Sequence, residues 1–164
     1  MSAPVNGRTA GRTRRAVRTR RANDAWEALL SAHARLIKQF AAEDVWQDLS
    51  MREYDVLYSL AKRPEPVRLG ELHRHVLLSQ PALSRMVDRL VERGLVQRCP
   101  DPADRRGVRL ALTGTGRDRQ RAVGRRHARS VARAVSAALN AEELDQLATI
   151  CGKLARVPEG DIGS

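Results

Sequence analysis

Residues 79–112 limit the possible folds of this chain more than any other segment does. Ser79 stands where a helix N-cap belongs, and Gly94 stands where a left-handed C-cap belongs. Between them, apolar residues recur at the spacing of one helix face: Leu83, Met86, Val87 and Leu90. Two short apolar runs follow, at 95–99 and 108–112, around a tip that is dense in proline, aspartate and arginine. The pattern predicts a capped helix that leads directly into an antiparallel hairpin, whose loop is too long for a tight turn.

The sequence on either side of this segment predicts further helices. Capping boxes mark three helix starts: Asp24 with Glu27, Ser50 with Glu53, and Asn140 with Glu143. The predicted helices run from Asp24 to about Asp44, Ser50 to a stop at Pro64, Gly70 to Val76, Ser79 to Gly94, Thr113 to Leu139, and Asn140 to Leu154. A strand of two or three residues fits at 67–69. With 42% hydrophobic and only 3% aromatic residues, the chain is expected to be mainly α with a small β hairpin.

The positive charge is concentrated in two segments. The net charge is +11, and residues 1–22 carry seven arginines and no acidic residue. Because this segment has almost no large apolar side chain and its charges repel one another, it is predicted to be a disordered basic arm. Residues 79–133 carry fourteen arginines against five acidic residues. This distribution is typical of a surface that binds a polyanion, although a solvated basic face would have the same composition.

Several classes of protein and of site are disfavoured. No apolar run approaches the roughly 20 residues that span a bilayer, and no signal peptide is recognisable, so a cytoplasmic location is expected. Cys99 and Cys151 form no disulfide or metal-binding pattern and are expected to be reduced. His73 and His75 point to different faces of a short helix, which argues against a shared metal. The sequence shows no catalytic triad, paired carboxylates or phosphate-binding loop, so neither catalysis nor a cofactor is expected.

The order of the predicted elements is that of a winged helix-turn-helix. A protein reads B-form DNA by placing one helix in the major groove, where short polar side chains reach the base edges. The candidate DNA contacts on the predicted helix are Ser79, Gln80, Pro81, Ser84, Arg85 and Asp88. The tip of the hairpin can reach the neighbouring minor groove, whose negative potential favours an inserted arginine. Arg105 or Arg106 is the candidate for that position, and Asp104 is placed to orient its guanidinium.

The segment LGELHRHVLLSQPALSRMVDRLVERGLVQRCPDPADRRGVRLALTGTG resembles the core of the MarR family of bacterial transcription regulators. Asp104 and Arg106 match the Asp-x-Arg motif of that family's wing, and residues 24–155 follow its order of helices and strands. The boundaries that the resemblance implies are a winged-helix domain at 23–156, its DNA-binding core at about 49–113, dimerisation helices at about 23–45 and 114–156, and a C-terminal tail at 157–164.

The resemblance also implies what such a chain does. Members of the family act as homodimers on palindromic operators, usually as repressors, and many are released from DNA by phenolic or other anionic small molecules. The residues suggested for an effector pocket are His33, Tyr54, Tyr58 and Arg89, although such residues at helical spacing are also ordinary core. Oxidant sensing is disfavoured because no cysteine lies near the start of the first helix. The alternative function is that of an architectural protein that binds nucleic acid through charge without sequence preference.

Overall fold

The computed structural model describes residues 7–157, with the side chains of residues 17–104 and 106–157. Within this range the chain forms six helices and a three-stranded sheet. The elements in chain order are α1 (Gly7–Ala41), α2 (Met51–Ala61), β1 (Val67–Arg68), α3 (Leu69–His73), α4 (Gln80–Glu92), β2 (Val96–Asp101), β3 (Asp104–Leu112), α5 (Gly114–Ser136) and α6 (Ala141–Leu154). The prediction of a mainly α fold with a small antiparallel β element is confirmed. The chain divides into two compact units, one up to Ala42 and one from Glu43 onward.

The first unit is one long helix, and it corrects two predictions. α1 begins at Gly7, so residues 7–22 are helical where the sequence predicted a disordered arm, and Asp24 lies inside the helix instead of capping it. Residues 7–22 contain no proline, and their alanines and arginines have high helix propensity, so no strong signal separates them from the predicted helix. Residues 1–6 of the predicted arm lie outside the described residues. Several apolar side chains of α1 are exposed on the single chain: Val17, Trp26, Leu30 and Ile37.

The second unit is built around α2, which packs against α4, α5 and the sheet. α2 begins with the predicted capping box: the N–H of Glu53 donates to Ser50 Oγ (3.2 Å), and the N–H of Ser50 donates to Glu53 Oε2 (2.7 Å). The most deeply buried apolar side chains are Val56, Leu57, Leu72, Leu83, Leu90, Val96 and Val123. Each buried side chain of this size stabilises the fold by roughly 1.5–3 kcal/mol, so these residues contribute strongly to the stability of the unit.

β3 is the central strand of the sheet, and both neighbours pair with it in antiparallel orientation, in the order β1, β3, β2. The short strand predicted at 67–69 is β1, and Val67 pairs with Leu110 of β3. Both of these side chains are buried. Gly94 has a φ of 67° and lies between α4 and β2, as the predicted left-handed cap requires. The predicted hairpin is therefore confirmed, with β1 as a third strand beside it.

The hairpin formed by β2, β3 and their turn is here called the wing. Its turn is shorter than predicted. Asp101 pairs with Asp104 across the hairpin, so the turn consists only of Pro102 and Ala103. The Asp101 carboxylate accepts a hydrogen bond from the N–H of Ala103 (3.0 Å), and Asp104 Oδ1 accepts one from the N–H of Arg106 (3.0 Å). Aspartates that bond to backbone two residues ahead stabilise tight turns. The prediction of a long loop was wrong because it counted only the alternation of apolar residues.

α5 and α6 begin at the predicted caps. The N–H of Gly116 donates to Thr113 Oγ1 (2.9 Å), and this hydroxyl donates to the carbonyl of Gly94 (2.7 Å). α6 begins with the capping box of Asn140 and Glu143. α6 contains no buried residue, and three of its apolar side chains are exposed: Leu147, Ile150 and Leu154. None of the helices that the structure describes combines the length and the apolar character needed to cross a bilayer.

Candidate nucleic-acid interface

α4 presents a polar face to solvent. Ser79 caps the helix and accepts a hydrogen bond from the N–H of Ala82 (3.4 Å), and proline occupies the first turn as predicted. Of the predicted contact residues, four are exposed: Ser79, Gln80, Pro81 and Arg85. Ser84 and Asp88 are half-buried. The four apolar residues predicted for the opposite face are all buried, so α4 is anchored by one face and leaves the other accessible.

An arginine of β2 joins this polar face. Arg98 Nη2 forms an ion pair with Asp88 Oδ1, and the two side chains are 48% and 49% exposed. A carboxylate on a surface that meets phosphate would repel it, so pairing with Arg98 offsets the negative charge of Asp88. Arg98 was not among the predicted site residues. The two side chains belong to different elements, and no local sequence pattern links them.

The predicted wing residues lie at the start of β3, which begins at Asp104. Arg106 is exposed, as a residue that enters a minor groove must be. Asp104 Oδ1 meets Arg106 at its backbone N–H (3.0 Å), whereas the sequence predicted a contact with the guanidinium. The side chain of Arg105 lies outside the described residues. In this arrangement Asp104 fixes the backbone of the strand that carries the arginine and leaves the direction of the guanidinium to other contacts.

Asp101 fixes the base of the wing, and it was not among the predicted site residues. Its side chain is fully buried, with Arg109 Nε 3.1 Å from Oδ1 and Arg68 Nε 2.5 Å from Oδ2. The guanidinium of Arg109, together with hydrogen bonds from the N–H of Ala103 and from Arg68, holds the pKa of this carboxyl well below its usual range. The carboxylate therefore stays ionised and ties all three strands together. Arg68 is 33 positions away in the sequence, so no local signal could have revealed the contact.

A cleft of about 690 Å³ opens between α2 and α5. Two of the predicted effector residues line it, Tyr54 and Tyr58, and their rings stack with centroids 5.8 Å apart. α5 contributes a mixed wall that includes Gln120, Arg121, Arg125, His127 and Val131. His33 lies on α1 and Arg89 on α4, and neither lines the cleft. The structure therefore brings together two of the four residues suggested for a ligand pocket.

Burial controls protonation along this cleft. It raises the pKa of the Tyr54 phenol and of the Asp55 carboxyl, and it lowers the pKa of the His127 imidazole. The phenol and the imidazole are therefore neutral near pH 7. The cleft has an aromatic wall and two arginines, Arg121 and Arg125, against one carboxyl group, Asp55, and this combination can hold a small aromatic anion.

Residues 47–107 match the family model of the MarR family. A segment of 71 residues is 41% identical to the multiple antibiotic resistance protein MarR of Escherichia coli strain K12. That alignment covers 42% of this chain and 47% of the E. coli protein. The chain thus matches less than half the length of the curated relatives.

Solved structures extend the likeness to most of the chain. AbsC, a MarR family transcriptional regulator from Streptomyces coelicolor, is 28% identical with a TM-score of 0.69, over 81% of this chain and 90% of that chain. The PcaV transcriptional regulator from the same organism, crystallised with its natural ligand, is 27% identical with a TM-score of 0.60. The second match covers 80% of this chain and 89% of that chain. The fold of this chain is therefore similar to that of these two transcriptional regulators.

Proposed function

Because this chain belongs to the MarR family of winged helix-turn-helix transcription regulators, we propose that it binds a DNA operator through α4, the reading helix, and through the wing. One observation carries the proposal: the ion pair of Asp88 and Arg98 joins the polar face of the reading helix to the wing. The two parts are adjacent on one surface, as simultaneous contact with a major groove and a neighbouring minor groove requires.

In this mechanism the reading helix enters the major groove. Gln80, Ser84 and Arg85 reach base edges, where a good bidentate contact discriminates between bases by about 1–3 kcal/mol. Asp88 keeps carboxylate lone pairs for a cytosine amino group while Arg98 offsets its charge. Arg106 enters the adjacent minor groove, whose negative potential attracts a guanidinium.

We propose that the functional unit is a homodimer. The exposed apolar side chains of α6 are 41–55% exposed, and no residue of this helix is buried. A second copy of the chain would provide the burial that α6 lacks, and a two-fold dimer matches a palindromic operator. Light scattering during size-exclusion chromatography should give twice the chain mass of 18.2 kDa. A monomer at micromolar concentration would contradict the dimer.

We extend the proposal to a small-molecule effector in the cleft between α2 and α5. PcaV was crystallised with its natural ligand, which supports ligand binding in a protein of this fold. The stacked rings of Tyr54 and Tyr58 offer an aromatic wall, and Arg121 and Arg125 offer two cations. This combination favours a phenolic or other anionic ligand of small size.

The effector is tested with 4-hydroxybenzoate as the probe. Titration calorimetry should show binding to the parent and weaker binding to Tyr58→Ala, because one wall of the cleft is removed. His33→Ala and Arg89→Ala are the matched comparison, since neither side chain lines the cleft of the single chain. If these two variants weaken binding as much as Tyr58→Ala does, the pocket extends beyond the cleft. If the parent protein gives no heat of binding with the probe, the result counts against a phenolic anion as effector.

Operator recognition is tested by selecting duplexes from randomised DNA with the full-length protein. The selected duplex should bind roughly a thousandfold or more tightly than random duplex of equal length. Exchanging Gln80 or Arg85 should change the preferred base pairs, whereas exchanging the exposed Arg74 of the helix-turn-helix should not. Selection profiles that match the parent's in every variant would remove the reading helix from the mechanism.

The alternative function, an architectural protein without sequence preference, is favoured by the charge of the chain alone. It predicts that selected and random duplexes bind alike. If the protein is a regulator, we propose that it represses transcription by occupying a promoter. We further propose that it acts in the cytoplasm and has neither catalytic activity nor a cofactor. A reporter gene placed behind the selected operator should fall when the protein is expressed, and a rise would indicate activation.

A further inference from the structure

Arg93, the C-cap residue of the reading helix, contacts two other parts of the second unit. Its Nη1 donates to Glu53 Oε1 in the first turn of α2 (3.1 Å). Its Nη2 donates to the backbone carbonyl of Asp48 (2.9 Å) and to Asp48 Oδ2 (3.0 Å), in the loop before α2. One side chain at the end of the reading helix therefore holds that end to α2 and to the loop.

A second arginine reaches the same carboxylate from α5. Arg119 Nη1 lies 3.3 Å from Asp48 Oδ1, the oxygen that Arg93 leaves free, and it also donates to Gln47 Oε1 (2.9 Å). Asp48 thus has one arginine on each carboxylate oxygen. Through this carboxylate, α4, α5 and the loop that precedes α2 meet at one point.

The loop at this point has a strained backbone. Gln47 has a φ of 60°, in the left-handed region that residues other than glycine rarely adopt. Arg119 bonds to the side chain of Gln47, and Arg93 bonds to the carbonyl of the next residue, Asp48. A strained backbone conformation persists where several independent contacts hold it in place, and here contacts from two arginines hold the loop.

We propose that Arg93 and Arg119 are positioning residues that set the orientation of the reading helix through their shared contact with Asp48. The proposal rests on the proposed DNA-binding function. The reading helix has 13 residues and is therefore about 19 Å long. A tilt of about 5° at its C-terminal end would move its N-terminal end by about 1.7 Å, whereas a recognition site must hold its geometry within about 0.5 Å.

Asp48→Asn separates positioning from simple electrostatics by the sign of its effect. The substitution removes a negative charge, so electrostatics alone would strengthen binding to DNA. If Asp48 instead aligns the reading helix, the substitution weakens binding to the selected operator by about three- to tenfold. Binding to random duplex should change much less, because it depends on phosphate contacts more than on alignment with base edges.

The experiment measures fluorescence anisotropy of full-length variants with the selected operator duplex and with random duplex. The variants are Asp48→Asn, Arg93→Met and Arg119→Met. Arg126→Met is the matched control, because Arg126 is an exposed arginine of α5 for which the described residues show no ion pair. All three arginine variants lose one positive charge, so a larger loss of operator affinity in Arg93→Met and Arg119→Met measures positioning. In a double-mutant cycle, Asp48→Asn should add little to Arg93→Met.

The outcomes separate this inference from the proposed function. A parent that prefers its operator, with equal losses in Arg93→Met, Arg119→Met and Arg126→Met or tighter binding by Asp48→Asn, overturns the positioning role alone. A parent without sequence preference overturns the proposed function and this inference with it. Urea unfolding of each variant without DNA shows whether it is folded in the assay. If Arg93→Met does not fold, Arg93→Lys keeps the charge without the bidentate geometry and should still lose affinity.

Discussion

Replacing Gly116 with alanine should destabilise the second unit by about 3 kcal/mol, whereas the same change at Gly114 should be tolerated. Both glycines lie in the first turn of α5. A Cβ atom on Gly116 would overlap the carbonyl oxygen of Leu95 and lie 2.8 Å from its carbonyl carbon. A Cβ atom on Gly114 would meet no atom within 4 Å. Since the atoms that face Gly116 belong to the backbone, no side-chain rotation can relieve the overlap.

The size of the destabilisation by Gly116→Ala follows from the contacts that hold the start of α5 against Leu95. The start of α5 must move away from Leu95, which breaks the bond from the N–H of Thr113 to the Leu95 carbonyl (3.1 Å) and the bond from Thr113 Oγ1 to the Gly94 carbonyl (2.7 Å). Breaking two hydrogen bonds costs about 1–3 kcal/mol, and the remaining overpacking costs about 1–3 kcal/mol. The higher helix propensity of alanine returns at most about 1 kcal/mol.

Urea unfolding followed by circular dichroism measures both variants and the parent at one protein concentration, since dimerisation would make stability depend on concentration. A loss of about 3 kcal/mol lowers the midpoint of thermal unfolding by roughly 6–12 °C in a chain of this size. Gly114→Ala should unfold at the midpoint of the parent or slightly above it. Equal unfolding free energies for the two variants would refute the packing argument.

Charge substitutions test the wing and the arm. Arg106→Ala should weaken binding to DNA and flatten the dependence of log affinity on log salt by about 0.9 for each phosphate that the arginine neutralises; an unchanged affinity excludes the wing from DNA binding. Deletion of residues 1–22 should flatten the same slope. If the truncated chain keeps the slope of the parent, residues 1–22 do not contact DNA. Asp101→Asn should destabilise the fold at pH 7, because the pKa of Asp101 is lowered in the folded state and its charge stabilises the fold above the unfolded pKa of about 3.9. Urea unfolding should show that the difference in unfolding free energy between the parent and Asp101→Asn narrows between pH 5 and pH 3. A difference that stays constant with pH would assign the loss of stability to packing.

Helix caps could be predicted because their hydrogen bonds join residues three positions apart. The bonds between Ser50 and Glu53, and those between Asn140 and Glu143, form within a single turn. The side-chain oxygen, the N–H that it accepts from and the first apolar residue of the helix all lie within a few positions. All the atoms of such a cap are therefore local in the sequence, although the same pattern at Asp24 and Glu27 lies inside α1 and caps no helix.

The ion pairs of the candidate site could not be predicted, because their partners come together only after the strands and helices pack. The sequence pattern puts Asp101 in a polar tip, yet its carboxylate is buried against Arg68 and Arg109. Neither arginine lies close enough in the sequence to indicate that it pairs with Asp101. The polar face of α4 was predictable in a different way: once Leu83 and Leu90 are buried, the residues on the other side of the helix must face away from the core.

The same periodicity has two structural outcomes in this chain. In α4 the apolar stripe is covered by α2 and the sheet, and Leu83 and Leu90 are 0% exposed. In α6 a stripe with the same spacing leaves Ile150 and Leu154 each 55% exposed. Spacing shows which face of a helix is apolar, but it does not show whether this chain or a second one covers that face. The structure of the single chain shows which stripes belong to its own core, because those stripes are already buried, and it leaves the stripe of α6 exposed, as the proposed dimer requires.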